Sequence, residues 1–136
     1  MCGGVIYEYA GRQVKAYFPN PEAHLPVKMK RGDASLMVWG RRKEQPGKLP
    51  LGGWARLDSI KDGRWQKWQP IPVKIPLTEF MEKDNRGVSH WFELKQGEWI
   101  QGLVARNDTE MRVYVVTVSP PMADAIHDRW PRVLSG

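Results

Sequence analysis

Residues 99–118 read WIQGLVARNDTEMRVYVVTV. The stretch contains two runs rich in β-branched and aromatic residues, 99–105 and 112–118, with turn-forming residues such as Asn107 and Asp108 between them. Runs of this kind predict β-strands. Similar runs occur at residues 2–9, 13–18, 36–39, 71–75 and 88–94. The sequence therefore predicts an α+β fold dominated by β-sheet.

Two other segments complete this prediction. Residues 121–128 are typical of a short helix, with Ser119 as a candidate N-cap and Pro131 to end it. Residues 41–53 are rich in Gly, Pro and charge, which indicates an exposed loop. The chain has 136 residues, of which 41% are hydrophobic, so it can bury one modest core. We expect a single domain spanning residues 1–136, with few short helices.

The positive charge is unevenly distributed along the chain. Of the net charge of +6, residues 28–68 contribute eleven Lys or Arg against four acidic residues, a local +7. Such a segment favours a polyanionic partner, although a solvated basic face without a ligand has the same composition. Aromatic residues in a basic segment suit single-stranded nucleic acid, whose unstacked bases can lie on the rings. The tryptophans in or beside this segment are Trp39, Trp54, Trp65 and Trp68.

Cys2 is the only cysteine, which excludes an internal disulfide and a thiolate zinc cluster. The longest apolar run, residues 113–118, is too short to cross a bilayer, and the N-terminus lacks the layout of a secretion signal. We therefore expect a cytoplasmic protein, nucleoid-associated if it is bacterial. We expect no cofactor, no metal ion and no membrane partner.

The two ends of the chain carry the most informative motifs. The sequence opens Met1-Cys2-Gly3, and residues 126–131 read Ile-His-Asp-Arg-Trp-Pro after Thr117. These motifs resemble the SOS response-associated peptidase family, whose members begin Met-Cys-Gly-Arg and carry Ile-His-Asp-Arg-Met-Pro after a late Thr and a short helix. Weaker pieces follow in the family's order: Trp-Gly at 39–40, Ala-Arg-Leu-Asp at 55–58 and Phe-Met-Glu at 80–82. The resemblance covers nearly the whole chain.

The resemblance implies a mostly antiparallel, barrel-like fold and a protein that captures abasic sites in single-stranded DNA. Removal of Met1 would expose the α-amine of Cys2 beside its thiol, and such a pair condenses with an aldehyde to form a thiazolidine. An α-amine has a pKa of roughly 7.7–8.0, so part of it is already nucleophilic near neutral pH. The peptidase activity in the family's name would then be the autoproteolytic removal of Met1, with Cys2 as nucleophile.

The resemblance also implies roles for other residues. Glu82 and His127 match the family's proton-transfer groups, and Arg56 and Arg129 match arginines that hold phosphates beside the lesion. We also expect Trp54 and Trp39 to contact DNA. Plain alternatives exist for these positions, namely a surface carboxylate, a capping histidine, ordinary ion-pair arginines and core tryptophans.

The chain departs from the family pattern near the expected site. Trp54 stands where the family has Asn, Asp58 replaces Glu, Phe18 replaces the Asn after Tyr, and Gly4 replaces Arg. Two other functions therefore remain open. One is a non-catalytic module of phage or mobile-element origin that binds single-stranded DNA, and the other is an interaction protein without a nucleic-acid role. Convergence of Cys2, Glu82 and His127 in one pocket would favour the covalent function.

Overall fold

The computed structural model describes residues 2–30, 32–120 and 129–136, with Cys2 described by its main chain. The described residues form twelve strands and two short helical segments. The strands are β1 (Cys2–Tyr9), β2 (Arg12–Tyr17), β3 (His24–Val27), β4 (Ser35–Val38), β5 (Trp54–Arg56), β6 (Ile71–Ile75), β7 (Glu79–Lys83), β8 (Ser89–Glu93), β9 (Glu98–Arg106), β10 (Met111–Val118), β11 (Trp130–Pro131) and β12 (Val133–Ser135). The helical segments are α1 (Leu57–Lys61) and a 3₁₀ turn (Gln66–Trp68).

The strands form three sheets. The first has the order β2-β1-β7-β8 and is antiparallel throughout. The second is built on β11-β10-β9-β12, with β5 also paired to β10 and β6 to β9, and β5 is its one parallel member. The third is the β3–β4 pair. The hairpin between β1 and β2 turns at Ala10 and Gly11, which both have positive φ (52° and 77°), as a tight two-residue hairpin turn requires.

The main core lies between the first two sheets. Buried Val5 and Phe80 from the first sheet join Val73, Ile100 and Val113 from the second in one hydrophobic cluster. Residues on each strand alternate between faces, so the second sheet also presents apolar side chains on its outer face. There a smaller cluster forms under α1 and the 3₁₀ turn, and it comprises Leu49, Ala55, Trp65, Leu103, Ala105, Tyr114 and Val116.

The sheet-dominated fold and its mostly antiparallel pairing agree with the sequence prediction. Among the described residues, none of the three sheets closes on itself, so they form no closed barrel, and the barrel-like fold that the resemblance implies stays a prediction. The predicted helix at residues 121–128 lies outside the described residues. Within them, no helix is long and apolar enough to cross a membrane.

Candidate catalytic cleft and phosphate-binding residues

The first sheet places the main chain of Cys2 beside Glu82. β1 and β7 are antiparallel neighbours, and Cys2 is the register partner of Glu82. Paired residues in such a ladder have Cα atoms only about 4.5–5.5 Å apart. The register shifts between Cys2 and Gly4, which marks a bulge at the start of β1. Bulges next to functional sites re-aim the chain locally, so this irregularity sets the direction in which the N-terminus meets Glu82.

Glu82 is completely buried, with none of its surface exposed. It occupies a central strand of the first sheet, between β1 and β8, and its neighbours Phe80 and Met81 are buried too. The alternative that Glu82 is a surface carboxylate is therefore wrong. Burying a carboxyl group costs free energy, and surface solubility cannot explain a glutamate inside the sheet. Glu82 is therefore a candidate functional residue.

A cleft of about 330 Å³ opens next to this strand pair. Gly3, which follows Cys2, lies in its wall, so the cleft reaches the start of β1. Gly4 allows Tyr17 and Met81 to approach closely, because a Cβ at Gly4 would lie 3.0 Å from a Tyr17 ring carbon. The cleft is lined by Gly3, Tyr17, Phe18, Pro19, Trp54, Met81 and Lys83. Sequence reasoning assigned no role to Lys83, since nothing in its neighbourhood marks it as facing a cleft.

Trp54 is half-buried and forms part of the cleft wall. Its ring packs against Phe18, with ring centroids 4.8 Å apart, and edge-on against Trp39 at 6.3 Å. Two of the departures from the family pattern, Phe18 and Trp54, are therefore in direct contact. At the two positions where the resemblance expects asparagines, the chain thus has a pair of tilted aromatic rings. Contact of Trp54 with DNA stays a prediction.

Trp39 is a core residue, which corrects its assignment to the DNA-binding surface. It is fully buried, and its indole N–H donates to the carbonyl of Gly53 at 3.0 Å. A Cβ on Gly53 would lie 2.7 Å from the Trp39 Nε1, so the glycine is what allows this close packing. A ring enclosed on all sides has no face to offer a nucleobase. Trp39 instead packs edge-on against the rings of Phe18 and Trp54.

Arg56 and Arg129 come together at the end of β10. Arg56 is the register partner of Thr117, and the guanidinium of Arg129 donates to the Thr117 carbonyl at 2.7 Å and to its hydroxyl at 3.3 Å. Burial, followed by the positive charge of Arg56, lowers the pKa of Arg129. Two arginines within mutual electrostatic reach provide a site of positive potential. The expectation that both face one ligand is thus compatible with their positions.

Asp58 occupies the fork of Arg56 in this structure. The two side chains form a bidentate ion pair, with contacts of 3.1 and 2.9 Å, and both are more than half exposed. The hydrogen bond from Arg56 lowers the pKa of Asp58 to about 2, so this carboxylate stays ionised at neutral pH. A phosphate that binds Arg56 must therefore compete with a permanent negative charge.

The basic segment predicted from residues 28–68 is not one continuous surface. Arg42 is buried, and it donates to the carbonyls of Phe18 and Trp39, both at 2.6 Å. Arg41 likewise donates to the carbonyls of Gln45 and Leu49. Two of the eleven cations thus hold the loop before β5 in place, and the local excess of charge overstates what a ligand meets.

His127 lies outside the described residues, so its convergence with Cys2 and Glu82 stays a prediction. His90, to which the sequence assigned no role, is the register partner of Glu82 on β8, and its ring bonds to Asp84 at 2.8 Å. The hydrogen bond from His90 is the main cause that lowers the pKa of Asp84. In the described part of the chain, no group of three or more His, Cys, Asp or Glu residues is arranged to hold a metal ion.

Comparisons of the chain with protein-family models, curated proteins and solved structures find no match in any of the three. The chemistry of these side chains and their arrangement must therefore carry the functional argument.

Proposed function

We propose that this chain captures abasic sites in single-stranded DNA through a covalent bond to Cys2, after Met1 is removed. The observation that carries the proposal is the register pairing of Cys2 with the fully buried Glu82, next to an open cleft. The resemblance of both chain ends to the SOS response-associated peptidase family supports the same chemistry.

The reaction has two stages. Hydrolysis of the Met1–Cys2 peptide bond consumes one water, releases methionine and leaves the α-amine of Cys2 free. That amine adds to the aldehyde carbon of the ring-opened abasic sugar, and loss of water gives an imine. The thiol then adds to the imine carbon while the nitrogen gains the proton, which closes a thiazolidine ring. The net change in the second stage is the loss of one water, with no oxidant or reductant.

Glu82 is the proposed proton-transfer group for these steps. Loss of hydroxide from the carbinolamine needs an acid, and activation of the thiol needs a base, so one carboxyl group beside Cys2 can serve in turn. Its position opposite Cys2 on β7 fits this role. His127 is the second proposed acid, which protonates the sugar oxygen as the ring opens, and this role rests on the resemblance alone.

Arg56 and Arg129 are proposed to hold phosphates beside the lesion. They lie together at the end of β10, and β5 carries both Arg56 and the cleft residue Trp54. A DNA single strand bound along β5 would therefore contact both the arginines and the cleft. The planar guanidinium fork matches two phosphate oxygens, which suits a bound strand better than a lysine would.

A second candidate function is strand binding without capture. The observation that favours it is the packing of Trp54 on Phe18 in the cleft wall, where the resemblance expects amides. Indole donates one hydrogen bond and accepts none, so Trp54 cannot replace an asparagine that holds the adduct. Its half-buried ring, in the wall of the cleft, is suited to contact a base instead.

The deciding experiment is capture itself. Protein whose free Cys2 amine is verified by intact mass is incubated with a single-stranded oligonucleotide that carries one abasic site. We expect a product that survives denaturing electrophoresis and has the mass of protein plus oligonucleotide minus one water. An undamaged strand of the same sequence should give none. Tight binding of both strands without this product would instead support the second candidate.

Asp58→Asn is expected to tighten the binding of an undamaged single strand. The substitution removes the carboxylate that competes for the fork of Arg56, and exposed ion pairs of this kind are weak, so we expect a gain of about two- to fivefold. Fluorescence anisotropy of a labelled oligonucleotide measures it. Asp62→Asn, an exposed position at the end of α1, removes the same charge and is the matched control. Equal gains from both variants would show that only net charge matters.

A further inference from the structure

A groove of about 500 Å³ lies on the outer face of the second sheet, away from the proposed capture cleft. Its floor is formed by β6 and β9. Lys74 of β6 is the register partner of Gln101 on β9, and Trp99 lies two residues before Gln101 on the same strand. One wall is the chain that follows β3, with Lys28, Met29 and Lys30. The groove and the capture cleft share no lining residue.

Two lysines that line this groove are direct neighbours through their backbones. Lys28 and Lys74 form an isolated antiparallel bridge, and the amide of each donates to the carbonyl of the other, at 2.8 and 3.0 Å. Like charges directly opposite one another in antiparallel strands destabilise the pairing. A negatively charged group bound between the two ammonium groups would turn this repulsion into attraction.

The charge of the groove is also left uncompensated by the protein. Beside the groove, the guanidinium of Arg132 donates a hydrogen bond to Gln101, which is one of the lining residues. Among the described residues, no carboxylate forms an ion pair with Lys28, Lys30, Lys74 or Arg132. Three lysines on one concave surface, with an arginine beside it and without acidic partners, mark a site for an anion that carries more than one charge.

The groove has an aromatic and apolar component as well. The ammonium of Lys74 lies over the Trp99 ring, 4.7 Å from its centroid, and Met29 is 41% exposed. The indole nitrogen of Trp99 is buried and has no acceptor within the described part of the chain. Once a phosphate draws Lys74 aside, the ring can receive a planar base, and Met29 adds an adaptable apolar contact.

We infer that this groove binds a second stretch of single-stranded nucleic acid, with phosphates on Lys28, Lys30 and Lys74 and a base against Trp99. The inference rests on the proposed function for the identity of the strand. Aromatic and basic groups in one groove favour a nucleic acid over an acidic peptide, since a peptide needs only the cations. The groove thus adds contacts that hold undamaged strand while the cleft acts on the lesion.

The test compares two charge-matched double variants of the full chain. Lys28→Gln/Lys74→Gln removes two groove cations, and Lys43→Gln/Arg86→Gln removes two exposed cations that line neither site. The affinity for an undamaged strand of about 20 nucleotides is measured between 50 and 200 mM salt. Loss of two phosphate contacts lowers the salt slope by about 1.4, which corresponds to about a sevenfold smaller salt effect over this range. The control should keep the wild-type slope.

Two further measurements separate this inference from the proposed function. The thermal midpoint of the groove variant should stay close to that of wild type, because the loss of like-charge repulsion offsets the loss of the Lys74–Trp99 contact. Capture of a five-nucleotide strand with one abasic site should proceed as in wild type. If wild type captures nothing but the groove variant still loses strand affinity, the groove stands and the proposed function falls.

The inference is overturned by either of two results. The first is a groove variant whose salt slope and affinity match those of the control. The second is a polyglutamate peptide that displaces the strand as effectively as an unlabelled strand of equal charge, since the partner would then be an acidic protein surface.

Discussion

Cys2→Ala, prepared with Met1 removed and with its free α-amine verified by intact mass, is expected to give no product that survives denaturing electrophoresis with an abasic strand, under conditions where wild type is converted. Without the thiol, the amine can form only an imine, which reverts in water, whereas a thiazolidine holds the aldehyde carbon through both nitrogen and sulfur. The measurement is the band shift on a denaturing gel, together with intact mass. Binding of undamaged strand should change by less than about twofold, because strand affinity is dominated by phosphate contacts.

The Cys2→Ala experiment has a built-in control. Reduction with borohydride should trap the imine of the variant, which would show that its amine still reaches the aldehyde. A Cys2→Ala product that is stable without reduction would contradict the proposal, because another residue would then form the bond. Lys83, the lysine in the cleft wall, would be the first residue to replace in that case.

Strand positions were predictable from local patterns where a strand alternates or carries β-branched runs. The predicted strands at 71–75, 99–105 and 112–118 correspond to β6, β9 and β10 within one residue at each end. β7, by contrast, was not predicted. Its residues Glu79 and Glu82 give it a charged composition that is not typical of a strand with buried residues on both faces of the sheet. β3 was hidden by Pro26, which lies in a strand of a two-stranded sheet.

The site was only partly accessible to sequence reasoning. The resemblance implied roles for Cys2, Glu82, Arg56 and Arg129, which stay predictions, but the register pairing of Cys2 with Glu82 depends on a bulge whose position local pattern does not specify. The assignment of Trp39 was wrong because composition cannot tell a core ring from an exposed one. Arg42 was likewise counted as part of a basic surface, although its buried guanidinium donates hydrogen bonds to backbone carbonyls.

The groove on the outer face of the second sheet could not be predicted from the sequence either. Lys28 and Lys74 are 46 positions apart, and Trp99 is a further 25, so no window of sequence contains them together. Only the pairing of the chain after β3 with β6, and of β6 with β9, brings them into one groove. Long-range register, which the sequence alone does not specify, therefore decides that these three side chains line one groove.

Glu82→Gln is expected to slow the capture of an abasic strand by about 100-fold or more, which is the usual loss when a proton-transfer group is removed. Glutamine keeps the size and shape of the buried side chain but cannot exchange a proton, so the fold should be retained. The rate is measured from the growth of the denaturation-resistant band over time, at saturating strand. Affinity for undamaged strand should stay at the wild-type value.

Glu79→Gln is the matched control, because it lies on the same strand and its side chain is only half-buried. It should capture at the wild-type rate. A small carboxylic acid such as acetate should partly restore capture by Glu82→Ala, whose truncated side chain leaves space for the acid, while it should leave Cys2→Ala inactive. If Glu82→Gln folds normally and captures at the wild-type rate, its burial beside Cys2 serves the sheet alone, and the proton-transfer role passes to another residue.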